Sequence, residues 1–363
     1  MSLRAFFYAC SVVFLLIALA CPACLQAAAG EAGESQQGPA QIRAFIYHHF
    51  GMQDEYPSTS VSVQQFQGHL EYLQGNDYTV LTFGEALERL YAEKNLPERT
   101  AVITIDDGYL SVWDKALPLL EKYGFPATIF ISTSHVGGSN YLSWEQVKKL
   151  EEKGFEIGNH SHSHAYFLNE SKEDIAKDFE ADLETSHKEF RRHLGSVPEL
   201  YAYPFGEYVP EMMSILEKHG YRAAAAQHSG VIYKGSRRFA LPRFPMNLNY
   251  AEMESFEEKI RMNALQVVEA DPANPLALED DPPRLKLRIE NQEVDAQGLQ
   301  CFVSGQRDCS VEKTAKNGTL EVEVQAESKL SARRTLYTIT APAKAGSKWF
   351  WYSYQWVLPE VSE

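Results

Sequence analysis

Positive charge is what this sequence has least to spare. Its 363 residues carry 34 Lys and Arg against 49 Asp and Glu, a formal charge of −15. That balance argues against nucleic acid as a partner, because phosphate binding is driven by clustered Lys and Arg. A neutral or cationic ligand is easier to accommodate. Cysteine is scarce: there are five, and three of them (Cys10, Cys21, Cys24) crowd into the N-terminus. Internal repeats and low-complexity tracts are absent. One apolar run stands out, from Ala5 to Ala20, and it is short for a membrane span. What is present is ample core material: 44% apolar residues with 12% aromatics, which argues against disorder. The length suits one large domain or two ordinary ones, at about 100–200 residues each.

Residues 1–29 have the order of a secretory signal peptide: Arg4, the apolar run, then small residues ending in Ala27-Ala28-Ala29. A membrane anchor is one alternative. Lipid attachment at Cys21 is another, weakened by Ala18 standing where Leu is usual. The expectation is an exported protein of the periplasm or cell envelope, with membrane attachment through a lipidated Cys21 left open. Only Cys301 and Cys309 then remain. In an oxidising compartment they suggest one disulfide, placed to staple a hairpin.

Residues 30–41 are small, polar and Gly-rich, a flexible lead-in. From Ile42 onward strand-like and helix-like segments alternate. Strands are expected at 42–50, 79–81, 101–107, 127–132, 155–160, 200–203 and 221–225. Thr82/Glu85 and Ser143/Gln146 have capping-box spacing, and "VSVQQFQGHLEYLQ" and "DIAKDFEADLETSHKEF" have helical periodicity. Such alternation implies a mostly parallel sheet with helices outside and ligand sites at the carboxyl ends of the strands. Residues 266–282, rich in Pro, Asp and Ala, look like a linker. Residues 283–363 are short alternating strands with Asn-Gly and Ala-Gly turns, a small β-sandwich. The aromatic run Trp349–Val357 reads as a core strand of that sandwich, with a sugar-stacking platform as the alternative.

Two motifs carry chemistry. In "VITIDDGY" a buried run ends in Asp106-Asp107-Gly108. Paired carboxylates there are costly unless neutralised or metal-bound. Strand alternation gives them different directions and hence different tasks: one could hold a metal while the other takes protons. Alone, the pair would serve equally as an acidic helix cap. In "EIGNHSHSHAYF", His160 and His164 are four apart, so one helical turn would put both imidazoles on one side. Two imidazoles plus a carboxylate leave a coordination position open, the arrangement of a catalytic zinc site. A solvated loop is the plainer alternative.

These motifs resemble those of the polysaccharide deacetylases, carbohydrate esterase family 4 or the NodB-homology group. "TIDDG" resembles TFDDG, "HSHSH" resembles H-[ST]-x-x-H, and "AYPFG" (Ala202–Gly206) resembles R-x-P-[YF]-G, in family order. The resemblance spans about residues 42–250 and implies an irregular (β/α) barrel of NodB-homology type in 42–265. It implies Asp106 as general base, Asp107, His160 and His164 as ligands of a divalent metal, and the Phe205 N–H at the oxyanion. Zinc is the first expectation, with cobalt or nickel acceptable to the same ligands. The implied reaction is hydrolysis of N-acetyl groups on an amino-sugar polymer, with water activated and carbonyl polarised by the metal.

The sequence departs from the family twice. Ala202 stands where an Arg normally orients the base. Arg243, in "LPRFP", is the candidate replacement, with a surface or structural arginine as the alternative. The late apolar-x-His motif is missing after Tyr221, and His228 fits it badly. Ile46-Tyr47-His48 has that pattern before the aspartates. Some family members, resembling poly-N-acetylglucosamine deacetylases, look circularly permuted and carry the histidine on an N-terminal strand. Alternation then sends His48 and His49 to opposite faces, with His48 as general acid and His49 structural. Two other functions fit the same residues less well: a deacylase for another amide or O-acetyl substrate, and a catalytically weak carbohydrate-binding protein.

Overall fold

The structure is a computed structural model. It describes residues 40–247, 250–276, 282–290, 292–306, 309–316 and 318–362. The expected signal peptide, most of the expected lead-in and Cys21 lie outside them.

The first eleven strands are β1 (Gln41–Tyr47), β2 (His49–Phe50), β3 (Ser60–Val61), β4 (Thr79–Leu81), β5 (Thr100–Ile105), β6 (Thr128–Ile131), β7 (Glu156–Asn159), β8 (Leu200–Ala202), β9 (Ala223–Ala225), β10 (Ile232–Tyr233) and β11 (Phe244–Pro245). The helices are α1 (Val63–Gly75), α2 (Phe83–Tyr91), α3 (Leu117–Tyr123), α4 (Trp144–Glu152), α5 (Lys172–Leu194), α6 (Pro210–Lys218) and α7 (Met253–Ile260). Parallel pairing runs β1–β5–β6–β7–β8–β9. A parallel bridge from Ala225 to Leu241 and the pairing of β11 with β1 then close the ring. The result is the irregular barrel expected. The closing segment was not among the expected strands, because two residues of regular pairing leave no period to read.

Alternation divides the barrel's apolar residues. Ile42, Ala44, Val102, Phe130, Ala202, Ala225 and Leu241 meet in one cluster drawn from strands all round the ring, hence its interior. Phe45, Ile103, Ile105 and Ile129 join residues of α1, α3, α4 and α7 in the outer layer. Helix α2 seals the amino end of the barrel: Phe83 and Leu87 enter the inner cluster, and the Phe83 and Gly84 amides donate to Thr128 and Glu156. Ser143 and Gln146 form the expected reciprocal capping box. Thr82 accepts from the Glu85 amide, with the return bond absent from the cap. Ser62 and Gln65 form a second full box, at α1.

Eight more strands follow: β12 (Asn263–Ala264), β13 (Val267–Asp271), β14 (Arg284–Ile289), β15 (Gln300–Val303), β16 (Cys309–Lys316), β17 (Thr319–Ala326), β18 (Arg334–Pro342) and β19 (Trp349–Val357). They make two four-stranded sheets, β12-β19-β18-β15 and β13-β14-β17-β16. Leu285, Leu287, Val322, Val324, Tyr337, Ile339 and Trp356 fill the space between. Strand β13 occupies part of the stretch expected as linker: its backbone pairs with β14 from Val267 to Asp271, and such pairing is indifferent to the acidic side chains that suggested a linker. The Cys301–Cys309 disulfide is present. It joins β15 to β16, edge strands of different sheets, and so staples the two sheets rather than one hairpin. Strand β19 is largely buried, as a core strand should be, and its Trp351 packs on Phe244 of the barrel.

Candidate active site

The site lies at the carboxyl ends of β1, β5, β7 and β8. Strand β5 delivers the aspartates. Val102 faces inward, and Asp106 continues that alternation into the barrel. Asp107 departs from it: its φ of 73°, followed by Gly108 at 73°, turns the chain sharply. Asparagine and aspartate tolerate that left-handed conformation better than most residues. The turn separates the two carboxylates, and each meets different partners.

Asp106 is fully buried and meets Arg243, also fully buried. The guanidinium donates from Nη1 to Oδ1 at 2.7 Å and from Nη2 to Oδ2 at 2.8 Å, a two-pronged pair. Its Nε donates to the Ala226 carbonyl and its Nη1 also to Thr104 Oγ1. Burial would raise the Asp106 carboxyl, but Arg243, His160 and His48 outweigh it and hold it below the usual carboxylate range. Arg243 reaches Asp106 because the closing segment of the barrel lies beside β1, itself next to β5.

Asp107 meets the histidines. Its Oδ1 lies 3.1 Å from Nε2 of both His160 and His164, and the three ligand atoms lie within 4.8 Å of one another. That buried oxygen has no hydrogen-bond partner of acceptable geometry. Three lone-pair-bearing atoms converging in a buried place repel one another unless a cation lies among them. Burial again works against ionisation, yet the imidazoles draw the Asp107 carboxyl well below the ordinary range. His160 Nδ1 donates to the Ala202 carbonyl at 2.7 Å, which fixes the tautomer and leaves Nε2 free for a metal. The residues present therefore fit a divalent cation, and two nitrogens with one oxygen suit zinc, cobalt or nickel.

The histidines do not converge as expected. Residues 160–166 form an irregular loop, not a helical turn. Ser161 and His164 have φ of 70° and 53°. Ser161 Oγ accepts from the His164 amide, and the Asp182 carboxylate of α5 accepts from the His162 and Ser163 amides. His162 turns away and pairs with Thr133 Oγ1.

The His48/His49 pair splits across the end of β1, where regular pairing is interrupted at His48. His48 is partly exposed and feels the charges of Asp107, Asp106, Arg243 and His160; burial lowers its pKa. His49 points elsewhere. Its ring stacks between Tyr109 and Tyr56 at 3.6 and 4.3 Å, and Nδ1 bonds Thr59. Phe205 sits in a tight turn with φ of 58°, and its ring edge meets His164 at 4.5 Å. A Cβ on neighbouring Gly206 would lie 2.6 Å from the Gln227 amide nitrogen, so only glycine fits. His228 is buried beside Tyr208, and neither its ring contacts nor the charges it feels involve the carboxylates of the site.

Sequence reasoning missed several neighbours. Tyr109, Tyr141 and His135 form a series of ring contacts from His49 toward His164, stacked at first and then tilted. Tyr109 follows the Asp-Asp-Gly turn directly, which was a usable signal; His135 and Tyr141 lie in a loop without periodicity.

Residues 93–224 match the family model described as polysaccharide deacetylase. The poly-beta-1,6-N-acetyl-D-glucosamine N-deacetylase of Staphylococcus aureus (strain MRSA252) is 29% identical over 213 residues, 56% of this chain and 72% of that protein. The Streptococcus pyogenes deacetylase PplD in complex with acetate has the same fold over 61% of this chain and 99% of its own, with TM-score 0.56 at 19% identity. IcaB from Ammonifex degensii does so over 62% and 98%, with TM-score 0.54 at 24% identity. With an Asp-Asp turn, a paired-histidine loop and the Pro-Phe-Gly turn converging at one end of this barrel, the chain is similar to the polysaccharide deacetylases, whose family model its residues 93–224 match.

Proposed function

We propose that this chain is an exported, metal-dependent deacetylase that removes N-acetyl groups from an amino-sugar polymer, with zinc as the metal and a polymer of N-acetylglucosamine as the substrate. The observation that carries the reading is the division of labour between adjacent aspartates: Asp106 is bound by Arg243, while Asp107 faces His160 and His164. The name of the Staphylococcus relative supports the choice of polymer.

Asp107, His160 and His164 would hold the metal, which when bound supplies Lewis acidity for the acetyl carbonyl and lowers the pKa of a water. Asp106, kept ionised by Arg243, takes the proton that the attacking water releases. The Phe205 N–H, presented by its left-handed turn, meets charge growing on the former carbonyl oxygen. His48 gives a proton to the sugar nitrogen as the carbon–nitrogen bond breaks. Acetate and a free amine leave, and the proton on Asp106 balances the one His48 has given. Arg243 takes the place of the family arginine missing at Ala202. The N-terminal leader and the disulfide support export.

Acetate release separates this reading from its rivals. Partly N-acetylated β-1,6-glucosamine oligomers should yield acetate, and a chelator should stop it. Preference for acetylated xylan would point to an O-acetyl substrate, and no release from any acetylated glycan would refute the enzyme.

A further inference from the structure

The sandwich lies beyond residues 93–224, the part that matches the family, yet it reaches the site. Glu207 follows the Pro-Phe-Gly turn directly and is buried. Arg333, just before β18, donates from Nε and Nη2 to its two oxygens at 2.7 and 2.8 Å. Arg334 donates to Oε1 at 3.0 Å. The same guanidiniums face two aromatic rings, one of the histidine loop and one of the turn: Arg333 lies 4.3 Å from the Tyr166 centroid, and Arg334 lies 5.5 Å from that of Phe205. Tyr166 stacks flat on Phe205 at 3.7 Å, and Phe205 abuts His164. Gln355 of β19 also donates to the Gly206 carbonyl.

We propose that Arg333 and Arg334 are positioning residues of the active site, and that the sandwich is a working part of the deacetylase rather than an appendage. The proposal rests on the deacetylase reading above. Phe205 holds a backbone conformation that non-glycine residues seldom adopt, and such a conformation persists only when its surroundings over-determine it. The sandwich supplies much of that determination: charge on Glu207, cations on both rings and a donor on Gly206. An ordinary docking contact has no reason to gather on one four-residue turn and the ring stacked on it. Ser229 and Ser353 illustrate the ordinary kind: they also join barrel to sandwich, through Ser353 Oγ to the Ser229 carbonyl, without touching that turn.

The test measures steady-state acetate release, thermal unfolding and bound metal in the full chain and in three variants. Arg333→Lys keeps charge but loses the fork, Arg334→Ala removes a half-exposed partner, and Ser353→Ala loosens the interface elsewhere. The first two should lower kcat about tenfold or more with KM within about threefold, because a displaced turn harms the transition state more than ground-state binding. Ser353→Ala should keep wild-type kcat. Wild-type kcat in folded Arg333→Lys and Arg334→Ala would overturn the proposal, as would an equal loss in Ser353→Ala. A wild type that releases no acetate would refute the deacetylase reading itself.

Discussion

Adjacent residues take opposite parts in this site. His48 and His49 share a strand end, but one feels the charge of both aspartates and the other is held between two tyrosines. His48→Ala should therefore lower kcat about a hundredfold, within the range of general acid catalysis, and His49→Ala should cost mainly stability. Steady-state kinetics on both would contradict this split if the losses were equal or larger at His49. Asp106 and Asp107 divide in the same way, and Arg243 governs the first. Replacing it by methionine leaves a buried carboxylate unpaired, a loss on the order of 3–5 kcal/mol. With the guanidinium gone, burial is opposed by His160 and His48 alone and the Asp106 carboxyl rises. The acid limb of the pH–rate profile should then move to higher pH in Arg243→Met; an unmoved limb would show that Arg243 does not hold the base. The aspartates and the two histidines that meet Asp107 were legible as residues, because acidic or imidazole groups closing apolar runs demand an explanation. The partner of Asp106 was not, since contact between residues so far apart in sequence leaves no local trace.

At the scale of elements, the strand ends do the positioning. Strand β5 stops at Ile105, before the aspartates, whereas an expectation drawn from apolar character carried it through Asp107. The histidine loop shows a second limit of local reasoning. Spacing of four suggested a helical turn, but residues of positive φ and an outside anchor produce the convergence instead. That anchor is Asp182, on the inner side of α5, receiving two amides of the loop. Asp182→Ala should weaken metal binding about 10–100-fold, as loss of supporting contacts around ligands commonly does. Competition with a chromogenic chelator reads this directly, and unchanged affinity would show that the loop holds its own shape. Barrel, helices and sandwich were legible from periodicity. The two-residue strand β11, which closes the ring, and strand β13, within an acidic stretch, were not, because pairing there is made by backbone that side-chain pattern does not report.

At the scale of the whole molecule, buried neutral histidines set the response to acid. His69 of α1 is fully buried against α7; its ring bonds Tyr47 and the Ala251 carbonyl and stacks on Phe256. Burial brings its pKa to about 4 from 6.5, and that of His228 likewise. The unfolded chain therefore takes up these protons first as pH falls. Stability is complete above about pH 6.5, declines toward pH 4 and then levels for these groups, by on the order of 3 kcal/mol each. Thermal unfolding between pH 7 and pH 4 should show the decline, and His69→Gln should flatten it; a flat wild-type profile would contradict the account. The proposed reaction rests on one arrangement, Asp106 with Arg243 and Asp107 with His160 and His164, kept apart by the turn that follows β5. The most direct test compares acetate release by Asp106→Asn and wild type, each carrying one equivalent of metal. The account predicts that the variant binds its metal and loses activity by about a thousandfold or more. An Asp106→Asn enzyme that kept most of its activity would show that the proton goes elsewhere.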